Sequence, residues 1–101
     1  MKFKVEYSPD FLSDLVKAVG WYNERQAGLG NRFLMNVKKQ TARLSSSALH
    51  FAVKYDDIRC VGIEKFPYLV HYRINEPTKT VRVEALFHTS RNPQKWDERT
   101  F

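Results

Sequence analysis

The sequence has one cysteine, Cys60, only four glycines and four prolines, and no long apolar run. A single thiol excludes an internal disulfide, and no Cys/His grouping has zinc-ligand spacing. Glycine and proline are too sparse for a collagenous or low-complexity chain. A bilayer-spanning helix needs about 20 apolar residues in a row, and nothing here approaches that. Met1-Lys2-Phe3-Lys4-Val5-Glu6-Tyr7 carries a charge at every second position and no continuous apolar segment, so it does not read as a signal peptide. A glycine-rich phosphate loop, a G-x-S-x-G elbow and a Cys/His pair suggesting a thiol nucleophile are also missing. These absences lead us to expect a cytoplasmic chain with no metal and no cofactor, held together by its core.

Within 101 residues, 43% are hydrophobic and 28% charged, ordinary values for a folded domain. Chains rarely split below about 200 residues, so one domain over 1–101 is expected. Such a domain buries roughly 60–65% of its unfolded surface, enough for one two-layer core.

The charge is unevenly placed. Seventeen basic against eleven acidic residues give +6, and the whole excess lies between Glu24 and Asp56. Arg25, Arg32, Lys38, Lys39, Arg43 and Lys54 stand there with no acidic residue among them. A one-sided segment suits an anionic partner, either nucleic acid or an acidic protein surface; the alternative is a solvated helix face.

Phe3, Val5 and Tyr7 alternate with Lys2, Lys4 and Glu6, the period of a half-buried strand. Ser8 can cap, Pro9 suits a first helical position, and Asp10 complements the helix dipole; Phe11 leaves the capping box incomplete. Phe11, Leu12, Leu15, Val16, Val19 and Tyr22 then form a helical stripe ending near Gln26. After Gly28 and Gly30, a second stripe runs through Leu29, Phe33, Leu34, Val37, Thr41 and Leu44. Two helices joined by a tight glycine turn make a helical hairpin. From Asp56 the period changes, and Arg59–Phe66, Tyr68–Asn75 and Thr80–His88 read as strands. Pro67 separates the first two, and the polar loop 75–79 joins the last two. The fold class is therefore α+β, a helical hairpin packed on an antiparallel sheet in the order β-α-α-β-β-β. The tail from Thr89 reads as irregular or as one short helix.

Alternation sorts the last strands. Tyr68, Val70, Tyr72 and Ile74 share a face with Val81, Val83, Ala85 and Phe87, expected under the helices. The opposite face then carries His71, Arg73, Arg82, Glu84 and His88. If the loop closes at Asn75 with Thr80, Arg73 stands across from Arg82 and His71 across from Glu84. Two facing arginines are destabilising unless something anionic sits between them. His88, a group titrating near neutrality beside Arg91, suits proton transfer or phosphate contact. Cys60 reads as core, and Trp96 as folded onto the sheet edge or stacked on a base or partner.

Several of these pieces, in this order, resemble the RelE/ParE superfamily of type II toxin–antitoxin toxins. They are Asp14-Leu15 through Trp21-Tyr22, Gly28-Leu29-Gly30 with Phe33, and Arg59 ahead of Phe66-Pro67-Tyr68-Leu69-Val70-His71-Tyr72-Arg73-Ile74. Val81-Arg82-Val83 then leads to His88, Arg91, Pro93 and Trp96 at fixed spacing. The match looks like the plasmid-stabilisation, ParE-like branch. The resemblance implies a small toxin neutralised by a cognate antitoxin, without metal or cofactor. Its target would be DNA gyrase, bound without catalytic residues, or messenger RNA on the ribosome, cut with basic and proton-transferring side chains. Leu69 stands where ribosome-dependent members often have arginine, and the tail offers Trp96 in place of a tyrosine. These departures favour gyrase.

On that reading Arg59, Arg73, Arg82, Arg91 and Trp96 bind the target or nucleic acid. His88 and Arg91 are catalytic only in a nuclease. Arg32, Lys38, Lys39 and Arg43 would dock the antitoxin's acidic residues. A third reading, from a different class, is a non-toxic basic binding module.

Overall fold

Pro9 ends the first strand and begins the first helix. The structure, a computed structural model, describes residues 2–91. Strand β1 covers Lys4–Tyr7 and helix α1 covers Pro9–Arg25. Ser8 caps α1, its Oγ accepting from the Phe11 N–H at 3.0 Å. Proline in the first turn gives up an N–H that has no helical partner anyway.

Helix α2 covers Leu29–Ser47. The reversal before it rests on two glycines for different reasons. Gly28 adopts φ +84°, a left-handed conformation that side chains disfavour. Gly30 lies where the helices touch: a Cβ there would press on the Val19 carbonyl and the Asn23 side chain. Its N–H donates to Asn23 Oδ1 at 2.8 Å. From α2, Phe33, Val37, Thr41 and Leu44 face inward, as their spacing requires.

After a 3-10 turn at Ala48–His50 come β2 (Val53–Tyr55), β3 (Ile58–Gly62), β4 (Tyr68–Asn75) and β5 (Thr80–His88). They form one five-stranded sheet in the order β1-β5-β4-β3-β2. The α+β architecture follows the sequence pattern, with three differences. β1 runs parallel to β5, so the sheet is mixed. β2 is an additional strand, three residues long and too short to show a period. β3 stops at Gly62, because the chain turns before Phe66, with Lys65 at φ 69°.

The helices close over one sheet face. Tyr22, Phe33, Phe66 and Tyr68 interlock there with ring centroids 5.0–6.2 Å apart. Tyr72 is fully buried and donates its hydroxyl to the Ala48 carbonyl at 2.6 Å. No helix among the described residues is long and apolar enough to cross a membrane.

One irregularity decides which side chains face outward. The β4–β5 register begins as expected, with Asn75 opposite Thr80 and Arg73 opposite Arg82. Between Val83 and Ala85 it slips by one residue: Tyr72 pairs with Val83, but His71 pairs with Ala85. Glu84 is the extra residue of a β-bulge, and a one-residue slip reverses every later side chain. Leu86 therefore joins the core under the helices, whereas Phe87 lies on the opposite face, its ring 4.8 Å from that of His71. His88 returns to the helix side, 5.2 Å from the Tyr68 ring. This corrects the expected facings of Ala85, Leu86, Phe87 and His88, and the expected pairing of His71 with Glu84.

Helix α1 holds the bulge in place. β1 ends at Tyr7, and beyond it α1 supplies the partners that a strand would otherwise give. The Ser8 Oγ donates to the Glu84 carbonyl at 2.9 Å, and the Leu86 N–H donates to Asp14 Oδ2 at 3.0 Å. Backbone groups of β5 that lie beyond the end of β1 are thus satisfied by two side chains.

Candidate functional site

The face away from the helices carries both polar and apolar groups. Ile58, Cys60, His71, Ala85 and Phe87 are buried there. His71 Nδ1 lies 3.0 Å from the Tyr55 hydroxyl and 3.5 Å from Cys60 Sγ. Burial pushes the Cys60 thiol up to about 11, against a smaller opposing pull from Lys54, so the thiol is protonated at neutral pH.

Beside this cluster, Arg73 and Arg82 face each other as the register requires. The anion between them comes from the chain itself. Arg82 Nε donates to Glu84 Oε1 at 3.1 Å, and Arg73 Nε lies 3.1 Å from Glu84 Oε2. Asp57 stands 3.6 Å from the Arg73 guanidinium. A groove of about 370 Å³ runs alongside, lined by Glu6, Arg73, Asn75, Thr78, Thr80 and Arg82. Glu84 sits beside the arginine pair, and the bulge falls beyond that pair without displacing it.

Arg59 is placed elsewhere. It pairs with Tyr72 on the helix-facing side, and its guanidinium donates to the carbonyls of Phe51 at 2.6 Å and Leu49 at 3.4 Å. It ties down the end of the 3-10 turn. Trp96 lies outside the described residues.

His88 and Arg91 do meet, in an open cleft of about 530 Å³ between α1 and the end of β5. Asp14, Lys17, Ala18 and Trp21 form one wall; Tyr68, Leu86, Phe87, His88, Ser90 and Arg91 form the other. A tight turn fixes the imidazole: the Ser90 N–H donates to His88 Nδ1 at 3.0 Å, and the Ser90 Oγ lies 2.8 Å from the same atom. An Nδ1 that accepts an N–H carries no proton, so the ring proton is on Nε2. The Arg91 guanidinium lies over the Phe87 ring at 4.1 Å. Burial, with a smaller contribution from Asp14, raises the Tyr68 pKa. The contributions of α1 to this cleft carry no sequence signal of their own: Lys17 and Asp14 look like ordinary exposed helix residues until the bulge turns His88 toward them.

Arg32, Lys38, Lys39 and Arg43 are all exposed on α2. None of them forms an ion pair among the described residues. At 100° per residue Arg32, Lys39 and Arg43 form one row, with the exposed Met35 beside it and Lys38 set apart from it. Also among the described residues, no group of three or more His, Cys, Asp or Glu could hold a metal ion.

The sequence-predicted site residues therefore occupy four places: the Glu84-linked arginine pair, the Arg59 tether, the His88–Arg91 cleft and the α2 row. The structure resembles the chromosomal ParDE toxin–antitoxin system from P. aeruginosa, with TM-score 0.77 at 13% identity, over 88% of this chain and 98% of that one. It also resembles the RelBE2 toxin–antitoxin complex from Mycobacterium tuberculosis, with TM-score 0.66 at 19% identity, over 87% and 99%. The isolated E. coli RelE toxin matches with TM-score 0.56 at 14% identity, over 95% and 94%. Among curated proteins nothing matches. Residues 5–93 match the family described as ParE toxin of type II toxin-antitoxin system, parDE, and the chain belongs to that family.

Proposed function

We propose that this toxin arrests growth by binding DNA gyrase, and that a cognate antitoxin keeps it silent by docking on α2. The observation that carries the target is the dispersal of the cationic residues. A metal-independent nuclease needs several cations and a proton-transferring group converging on one phosphate. Here Arg73 and Arg82 lie on the outer face with Glu84, Arg59 is tied to carbonyls on the other side, and His88 and Arg91 stand in a separate cleft. Surfaces of this kind bind a partner without cutting it. Leu69 in place of an arginine after Tyr68 supports the same reading.

The antitoxin reading rests on chemistry and on relatives. The α2 row is basic and exposed, and acidic side chains of a partner helix or strand would complement it. The similar structures include toxins in complex with antitoxins, RelBE2 and an archaeal RelE–RelB pair among them.

The test is pulse-labelling of DNA and protein synthesis within minutes of expressing the chain without its antitoxin. DNA synthesis falling first, with a DNA-damage response, supports gyrase. Protein synthesis falling first overturns it in favour of messenger cleavage, with His88 and Arg91 as the groups to mutate. If both continue while soluble protein accumulates, the chain acts only as a binding module.

A further inference from the structure

Over the full sequence, the charge excess lies between Glu24 and Asp56, and the fold draws part of it into a line. Arg32, Lys39 and Arg43 lie within about 40° of one another around α2, at steps of about 10 and 6 Å along it. All three are exposed, and none forms an ion pair among the described residues. Lys65, in the turn after β3, lines a pocket of about 390 Å³ with Arg32, Met35 and Asn36. It brings a fourth cation to the start of the row. The acidic neighbour Glu64 forms no ion pair among the described residues either, and its backbone carbonyl accepts from Asn36 Nδ2 at 3.0 Å. Arg73 and Arg82, by contrast, are compensated from within the chain. The row lines neither the groove beside them nor the cleft between α1 and β5.

We propose that this row binds the phosphate backbone of duplex DNA without reading its sequence. Each strand of a duplex carries a phosphate about every 3.4 Å of axis, so a row of about 16 Å meets phosphates in any register. No side-chain hydrogen bond among the described residues orients the cations of the row, which suits charge neutralisation and not base reading. The choice of DNA rests on the gyrase reading, because gyrase is an enzyme whose substrate is duplex DNA. The placement fits two simultaneous partners. Helix α2 covers one face of the sheet, whereas Arg73, Arg82 and Glu84 lie on the other, so DNA along α2 leaves that face open to a protein. It also gives the antitoxin a means of silencing. Acidic residues docked on α2 occupy the cations that the DNA needs.

The experiment adds the full-length chain, without antitoxin or gyrase, to a fluorescein-labelled DNA duplex of about 20 base pairs and follows its anisotropy. Log affinity should fall against log salt with a slope of about −3 to −4, for three or four phosphates neutralised. That is a loss of roughly 40- to 150-fold between about 50 and 200 mM salt, the same for any duplex sequence. Arg32→Glu, Lys39→Glu and Arg43→Glu combined should abolish binding, and each single alanine variant should flatten the slope by about 1. Lys2→Glu, Lys4→Glu and Lys79→Glu combined change the net charge equally, away from α2, and should retain most of the affinity. Circular dichroism reports whether both triple variants are folded. The proposal is overturned if the duplex does not bind at about 50 mM salt, or if the two triple variants weaken it equally. Polyglutamate binding as tightly as the duplex also overturns it, and leaves the antitoxin docking intact. A duplex RNA bound at least about tenfold more tightly overturns the choice of DNA. With gyrase absent from the titration, none of these outcomes prejudges the pulse-labelling that tests the target.

Discussion

The carboxylate of Glu84 is shared between two arginines that face each other across β4 and β5. Oε1 accepts from Arg82 Nε at 3.1 Å, and Oε2 lies 3.1 Å from Arg73 Nε. The glutamate side chain is only 4% exposed, whereas those of Arg73 and Arg82 are 34% and 46% exposed. A buried anion thus bridges two half-exposed cations that would otherwise repel one another, and Asp57 beside Arg73 supplies the second negative charge.

Removing that anion should cost more than removing either cation. Glu84→Ala leaves Arg73 with Asp57 but takes from Arg82 its ion-pair partner among the described residues, and the exposure of both arginines lets water screen much of the repulsion. We expect a loss of about 1–3 kcal/mol, below the full cost of breaking a wholly buried pair. Urea denaturation checks this, and the double variant Glu84→Ala with Arg82→Ala should recover part of the loss. An unchanged midpoint for Glu84→Ala would mean the carboxylate contributes nothing to the fold.

The helical hairpin should depend on Gly30 for space and on Gly28 for conformation. Gly30→Ala forces a methyl into the Val19 carbonyl and Asn23, where backbone cannot yield cheaply. A loss of about 1–3 kcal/mol is expected, of the size seen for overpacking. Gly20→Ala is the control: open space surrounds that position, and helix propensity favours alanine.

Alkaline pH should destabilise the protein through two buried acids. Burial pushes the Tyr72 hydroxyl to about 12, partly opposed by Arg59, and the Cys60 thiol to about 11. Both values lie above the unfolded ones of 10.0 and 9.0, so the unfolded chain releases these protons first. Their contribution is complete below pH 9 and is lost as pH rises toward 12. Denaturation midpoints measured across this range should fall, and more gently in Tyr72→Phe. At neutral pH that variant also leaves the Ala48 carbonyl unpaired, at about 1–3 kcal/mol. Alkylation of Cys60 should be slow in the native protein at pH 8 and fast after unfolding.

If α2 docks an acidic antitoxin, the affinity should fall as salt rises, because the row is exposed and fully open to screening. Charge reversal at Arg32, Lys39 and Arg43 should weaken binding more than reversal at Lys38, which stands off the row. Salt-independent affinity would remove the electrostatic basis of the docking.

Much of this architecture can be read in the residues themselves. Ser8-Pro9 marks where a strand becomes a helix, Gly28 and Gly30 mark the reversal, and the spacing of Phe33, Val37, Thr41 and Leu44 fixes the inner face of α2. The Arg73–Arg82 opposition follows from the polar loop between Asn75 and Thr80. The bulge at Glu84 leaves no such trace. Val81 to His88 reads as an unbroken alternation, and nothing local says that one residue will be extra. The contacts that hold it are tertiary, from the Ser8 and Asp14 side chains some 70 positions away in sequence. Every misplaced side chain, from Ala85 to His88, follows from that one slip. The three-residue β2 was hidden for a different reason: three positions contain too little period to detect.

The pairing of β1 with β5 also governs the timing of folding. Lys4–Tyr7 lies against Thr80–Val83, and Ser8 and Asp14 wait for Glu84 and Leu86. Strand β1 therefore obtains its partner strand only when β5 has been synthesised. Contacts of such long sequence separation slow folding, since a large loop must close before they form. A nascent chain interrupted anywhere before Thr80 leaves β1 without the edge it joins, so folding of the complete sheet waits for β5.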